Sequence, residues 1–156
     1  MSRPLLLAFA VTLALPATAL AVPPAACELL KQEEINMIAE RKVERVVQQK
    51  SGNPSECSYI DARRGGVLVL TVRDVQYAVK DEMHVERDNL EKIYRSKSKQ
   101  LDTVGEGAYW LSANGQLGFR KGKTIVTVRF TTPKNQNEVD TAQVARVVEA
   151  RLGKPQ

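Results

Sequence analysis

The chain predicts an α+β domain: a mainly antiparallel sheet of about five or six strands flanked by three helices, in the order α-β-β-α-β-β-β-α. Three observations carry this. Glycine turns at Gly65-Gly66, Asn114-Gly115 and Lys121-Gly122-Lys123 mark hairpins, which join antiparallel strands. Leu68, Leu70 and Val72 alternate with Val69, Thr71 and Arg73 at the strand period. Val79, Met83, Glu86, Leu90, Ile93 and Lys97 instead fall on one helical stripe.

In chain order, Met1 to Ala21 reads as a cleavable signal peptide. Arg3 supplies the positive start, and Leu5 to Leu15 is apolar apart from Thr12. That run is shorter than the roughly 20 residues that cross a bilayer. Pro16 then breaks it, and Ala19-Leu20-Ala21 has the small residues of a cleavage site. Cleavage after Ala21 leaves about 135 residues, the length of one domain. Residues 22–26 form a Pro-rich linker, and 27–156 the single domain. Cys27 lacks a Leu at the third position before it, so lipid anchoring is not expected.

Cys27 to about Arg41 reads as a helix, with Leu29, Leu30, Ile35 and Ile38 near helical spacing. Lys42 to Gln49 suits either a continuing helix or a short strand, because its valines are β-branched. Ser51-Gly52-Asn53-Pro54 stops either one. Strands follow at Glu56–Ala62 and Val67–Val75, then a helix from Gln76 to about Ser96. Further strands are expected at about Leu101–Ser112, Gln116–Arg120 and Thr124–Thr131. A last helix starts at Glu138, carries Val144, Val147, Val148 and Leu152 inward, and ends at Gly153 and Pro155. Leu70-Thr71-Val72-Arg73 is echoed by Val126-Thr127-Val128-Arg129, either as a duplicated hairpin-plus-helix unit or, the favoured reading, as two central strands of one sheet with β-branched residues.

The formal net charge of +5 is mild. Cations gather at Lys92, Arg95, Lys97 and Lys99 and at Arg120, Lys121 and Lys123, but a helix C-terminus and a solvated hairpin account for both groups. No nucleic acid is expected as a partner, and nothing predicts a spanning segment after cleavage. Two cysteines, Cys27 and Cys57, remain in an exported chain, where a lone pair is most simply one disulfide. Two Cys and one His are too few for structural zinc, so no metal or cofactor is expected.

No catalytic residue is assigned. His84 shares a helix face with Asp81 and Asp88, which the solvated side of an amphipathic helix explains. Gly118 to Thr124 is one residue short of a phosphate loop and precedes a strand rather than a helix. Gly105-Glu106-Gly107-Ala108-Tyr109-Trp110 is the most distinctive stretch. Its glycines permit unusual backbone shapes, and Glu106, Tyr109 and Trp110 are the candidate ligand-binding residues. Adjacent strand residues point to opposite faces, so Tyr109 and Trp110 cannot share one core.

Cys27-Glu28-Leu29-Leu30, Glu33-Glu34, Cys57-Ser58-Tyr59, Gly105 to Trp110 and the strand from Gly122 and Thr124 to Val128 together resemble a family. It comprises the small exported bacterial domains of unknown function found in many actinobacterial envelope lipoproteins. Lys31 replaces that family's Thr cap, the acid after the second glycine is missing, and the lipobox is absent. The resemblance implies an antiparallel sheet flanked by helices, somewhat like a PsbP-type sandwich, with Cys27 joined to Cys57, and implies no enzyme activity. The expectation is a periplasmic or secreted, non-catalytic binding or accessory domain for a protein or envelope ligand. The alternatives are an inhibitor or immunity-type protein, a carrier of an apolar ligand, and a hydrolase using carboxylates such as Glu106 and Asp102.

Overall fold

The computed structural model describes residues 24–75 and 82–152. The expected leader, the start of the second helix from Gln76 to Asp81, and the Gly153–Pro155 stop lie outside them. A 3-10 turn, Ala26–Glu28, is followed by α1 (Gln32–Ala39), β1 (Val43–Lys50), β2 (Ser55–Asp61), β3 (Gly66–Asp74), α2 (Glu82–Tyr94), β4 (Lys99–Leu101), β5 (Glu106–Leu111), β6 (Gln116–Lys121), β7 (Thr124–Phe130) and α3 (Glu138–Arg151). The strands form one antiparallel sheet in the order β1-β2-β3-β7-β6-β5-β4. The chain thus meanders through β1–β3, crosses by α2 to the far edge, and meanders back until β7 pairs with β3.

The α+β class is as the sequence predicts, with seven strands rather than five or six. Two differences account for the count. Val43–Lys50 is a strand, because its β-branched residues pair antiparallel with β2. The stretch expected as one strand from Leu101 is two, β4 and β5, because the chain turns between Leu101 and Glu106. The first helix is also shorter than Cys27–Arg41. Cys27 is bonded to Cys57, and the Ala26 N–H donates to Ser55 Oγ at 2.8 Å. These ties hold the chain against β2 before α1 begins. Glu40 ends α1 in the left-handed region, at φ 47°.

The two sheet faces are treated differently. On the first, Leu29, Leu30 and Ile35 from the N-terminal segment and Val144, Ala145 and Val148 from α3 pack on Tyr59, Leu70, Leu117, Val128 and Phe130, all essentially buried. Each such side chain contributes about 1.5–3 kcal/mol by leaving water. Polar ties close this layer. The Arg151 guanidinium donates to both Glu34 carboxylate oxygens, at 2.7 and 2.6 Å, and to the Leu29 carbonyl at 2.8 Å. That hydrogen bond, opposed by burial, holds the Glu34 carboxyl below its ordinary range. Tyr59 reaches the Leu30 carbonyl at 2.7 Å. On the second face, among the described residues, only α2 is seated, with Met83 and the half-buried Leu90 on Val75, Tyr109, Leu111 and Ile125.

The turns carry their own hydrogen bonds. Buried Asp61 accepts from the Arg63 and Gly65 N–H groups and from Arg41. Burial works to raise its carboxyl, but these donors outweigh it and hold the group below its usual value. Glu91 fastens the exit of α2. It accepts from the Ser98 hydroxyl at 2.6 Å, the Lys97 ammonium at 2.9 Å and the Ser98 N–H at 2.9 Å, and these hold its carboxyl down at about 2.

Two predictions follow from these ties. Replacing both Cys27 and Cys57 by Ala opens a 30-residue separation and should cost about 3–4 kcal/mol. Calorimetry should show Tm falling by roughly 10–15 °C; a fall under a few degrees contradicts the staple. Glu91 is depressed in the folded state, so its stabilisation is full above about 4.5 and is lost as pH falls toward 2. The stability gap between the native chain and Glu91→Gln should therefore be widest near neutrality and close between pH 4 and 2 in urea titrations. A gap independent of pH contradicts the assignment.

Candidate functional site

Strand alternation sets the geometry of the second face. Thr127 on β7 pairs with Thr71 on β3 and with Gly118 on β6, and Gly118 pairs with Tyr109 on β5. These four positions form one row across the sheet. Gly118 is required there, since a Cβ would lie 2.5 Å from the Tyr109 ring. The ring therefore lies flat over β6, beneath α2.

From Tyr109 a chain of side-chain hydrogen bonds runs under α2. Asn114 Nδ2 donates to Gln116 Oε1 at 3.0 Å, Gln116 Nε2 to the Tyr109 hydroxyl at 3.1 Å, and that hydroxyl to Glu86 Oε1 at 3.1 Å. Arg73 donates to Glu86 Oε2 at 2.6 Å and to Glu82 at 3.2 Å. Every donor in the chain points toward Glu86, so the bonds polarise one another. Burial first, and the Glu86 charge second, push the Tyr109 phenol far above its ordinary range. The phenol therefore stays protonated, as a donor to Glu86. At the other end, Asn114 Oδ1 is buried with no hydrogen-bond partner among the described residues.

The residues expected at a ligand rim are separated. Tyr109 is 2% exposed and joins the layer under α2, whereas Trp110 is 6% exposed and joins the core on the first face. Adjacent strand residues must diverge in this way, and here a helix covers each face. Glu106 stays half-exposed at the mouth of β5, accepting from Arg120 at 2.6 Å and the Gly122 N–H at 3.3 Å. Gly105 and Gly107 take φ of 45° and 61°. A Cβ on Gly105 would also meet the Arg120 carbonyl at 2.6 Å. The glycines thus serve the turn into β5. Asp102 lies exposed between β4 and β5, and His84 is exposed on α2.

The cationic groups are largely spoken for. Lys97 pairs with Glu91, Lys99 with Glu138, Arg87 with Asp88 and Arg120 with Glu106, while Lys121 donates to the Glu149 carbonyl at 2.7 Å. A shallow groove of about 560 Å³ beside Arg87, Glu91, Lys92, Arg95 and Lys97 is lined by both signs of charge. No cluster of three or more metal-ligating side chains forms among the described residues.

What sequence reading did not single out is the other half of the second face. α2 lies chiefly over β5 and β6. Among the described residues no helix is seated over the rest of that face, where Val47, Ser58, Val69, Thr71 and Arg129 lie on β1, β2, β3 and β7; Ser58 there is buried, and Thr127 beside them reaches Glu86 of α2. The signal was present in the echoed strands Leu70-Thr71-Val72-Arg73 and Val126-Thr127-Val128-Arg129. Central strands with Thr and Arg at alternate positions have only one face built for an apolar core. No protein-family model matches the chain, and no curated protein matches it.

The hydrogen-bond chain gives a direct test of how α2 is held. Tyr109→Phe keeps the ring over Gly118 but leaves Gln116 Nε2 and Glu86 Oε1 short of a partner. It should cost about 1–3 kcal/mol in urea unfolding. No loss of stability contradicts the chain.

Proposed function

We propose that this chain is an exported binding domain, periplasmic or secreted, that acts without catalysis. Its binding surface is the uncovered half of the second sheet face. The single observation that carries the reading is that asymmetry. One face is sealed by the N-terminal segment, α1 and α3, while four strands on the other present hydroxyls, aliphatic groups and an arginine beside the wall made by α2. Side chains of mixed polarity on a rigid sheet suit a macromolecular partner, which needs area more than enclosure.

Export is supported by the disulfide, a bond that persists in oxidising compartments, together with the signal-like leader. No described helix is long and apolar enough to cross a membrane. The resemblance to small exported envelope domains points the same way. A carboxylate-based hydrolase is less well supported, because Glu106 is engaged by Arg120 and Gly122 at the surface. An apolar-ligand carrier is likewise disfavoured, with Leu117, Phe119 and Phe130 close-packed between sheet and α3.

Photocrosslinking tests the surface. A benzoylphenylalanine side chain at Thr71 or Thr127, irradiated in host envelope extract, should give a discrete covalent adduct. The same group at Gln143, exposed on α3 over the first face, should give none. Absence of an adduct from both open-face positions, or an equal adduct from Gln143, overturns the proposal.

A further inference from the structure

Six arginines among the described residues are half-buried, and five of them face a carboxylate. Arg41 meets Asp61, Arg73 meets Glu82 and Glu86, Arg87 meets Asp88, Arg120 meets Glu106, and Arg151 meets Glu34. Arg129 alone has no ion pair among the described residues. A guanidinium cannot shed its proton, and removing part of its hydration costs free energy unless an anion replaces the water. Among the described residues the other half-buried arginines follow this rule, and Arg129 is the exception.

The position of Arg129 is specific. It lies in the middle of the open face, with Val69 as its cross-strand partner on β3 and Gln116 on β6. Thr127 is the next residue on the same face of β7. Gln116 is already committed to Tyr109 and Asn114, so it does not neutralise the guanidinium. Glu86 accepts from Arg73, Tyr109 and Thr127. Glu56, the other carboxylate on this face, lies on β2 opposite Thr71 and 4.0 Å from the Lys50 ammonium. These described carboxylates of the second face therefore have cations or donors of their own.

We infer that Arg129 is an anchor for a carboxylate of a protein partner docked on the open face. This rests on the reading of that face as the binding surface, and it adds the chemistry of the partner. A protein side chain fits better than a small free acid. Arg129 lines neither the groove beside Arg87 nor the one beside Arg41, and a single guanidinium on a sheet strand offers a small acid few further contacts. A polypeptide can also cover Val47 and Val69 beside it, so that the ion pair forms out of water, where it is strongest.

The experiment is the Thr71 photocrosslink carried in three further backgrounds: Arg129→Glu, Arg129→Gln, and Arg146→Glu as a control at an exposed position on α3. Unchanged thermal unfolding of each variant establishes that the sheet is intact. The adduct, identified as a polypeptide by mass spectrometry, should fall about tenfold or more with Arg129→Glu and several-fold with Arg129→Gln, and stay within twofold with Arg146→Glu. Blocking the extract's carboxylates with carbodiimide and glycinamide should abolish it. An adduct that survives Arg129→Glu within threefold, survives carboxylate blocking, or proves not to be a polypeptide overturns the anchor while leaving the binding face standing. Absence of any adduct from the unsubstituted chain overturns the face itself.

Discussion

The pairing of β3 with β7 is the constraint on which the rest of this molecule depends. Seven residue pairs, from Leu68 with Phe130 to Asp74 with Thr124, join two meanders that would otherwise be separate small sheets. Each meander by itself is a narrow sheet of three or four strands. Once joined, they give a seven-stranded platform wide enough for α1 and α3 to lie on one side. The cost is a long-range closure, since the chain must travel through α2 and three strands before β7 can return to β3. That closure is offset by the core that forms only when both halves are present, with Leu70 and Val128 directly opposed at its centre.

Around the platform the molecule secures its two faces by different physics. The first face is dry and close-packed, and its few polar groups are fully used. Glu34 serves the Lys31 N–H as well as Arg151, so one carboxylate caps α1 and ties it to α3. The second face is held by a thin apolar contact from α2 and a chain of polar side chains beneath it. Such a chain orients a helix well but excludes little water, and it stops where α2 stops. Beyond it, where no described helix lies, the strands carry Val69, Thr71 and Arg129, side chains suited to water as well as to a partner.

Much of this was legible from residue patterns. The glycine hairpins, the alternation of β3 and the lone cysteine pair are local signals, and each found its element in the structure; of the stripe expected on α2, Met83, Glu86 and Leu90 turn to the sheet while Ile93 is exposed and Lys97 lies past the helix end. The ambiguous Lys42–Gln49 segment resolved as an edge strand because β2 was available to pair with it, a fact held outside that segment. The Gly105–Trp110 element stood out in the sequence for its glycines and aromatics, yet these serve the entry to β5 and the filling of both faces. In the sequence Arg129 stands only at the end of an echoed strand, because an arginine in a strand is unremarkable until its neighbours across the sheet are known.

By itself the sequence determined the class of the fold, the places where the chain turns, and which residues alternate across each strand, because those follow from backbone sterics and side-chain period within a few residues. Only the tertiary structure decided which face each helix covers, which carboxylate meets which arginine, and which arginine is left over. Those outcomes depend on strand order and on residues tens of positions apart, such as Arg73 with Glu86 or Arg151 with Glu34, whose meeting no local pattern encodes.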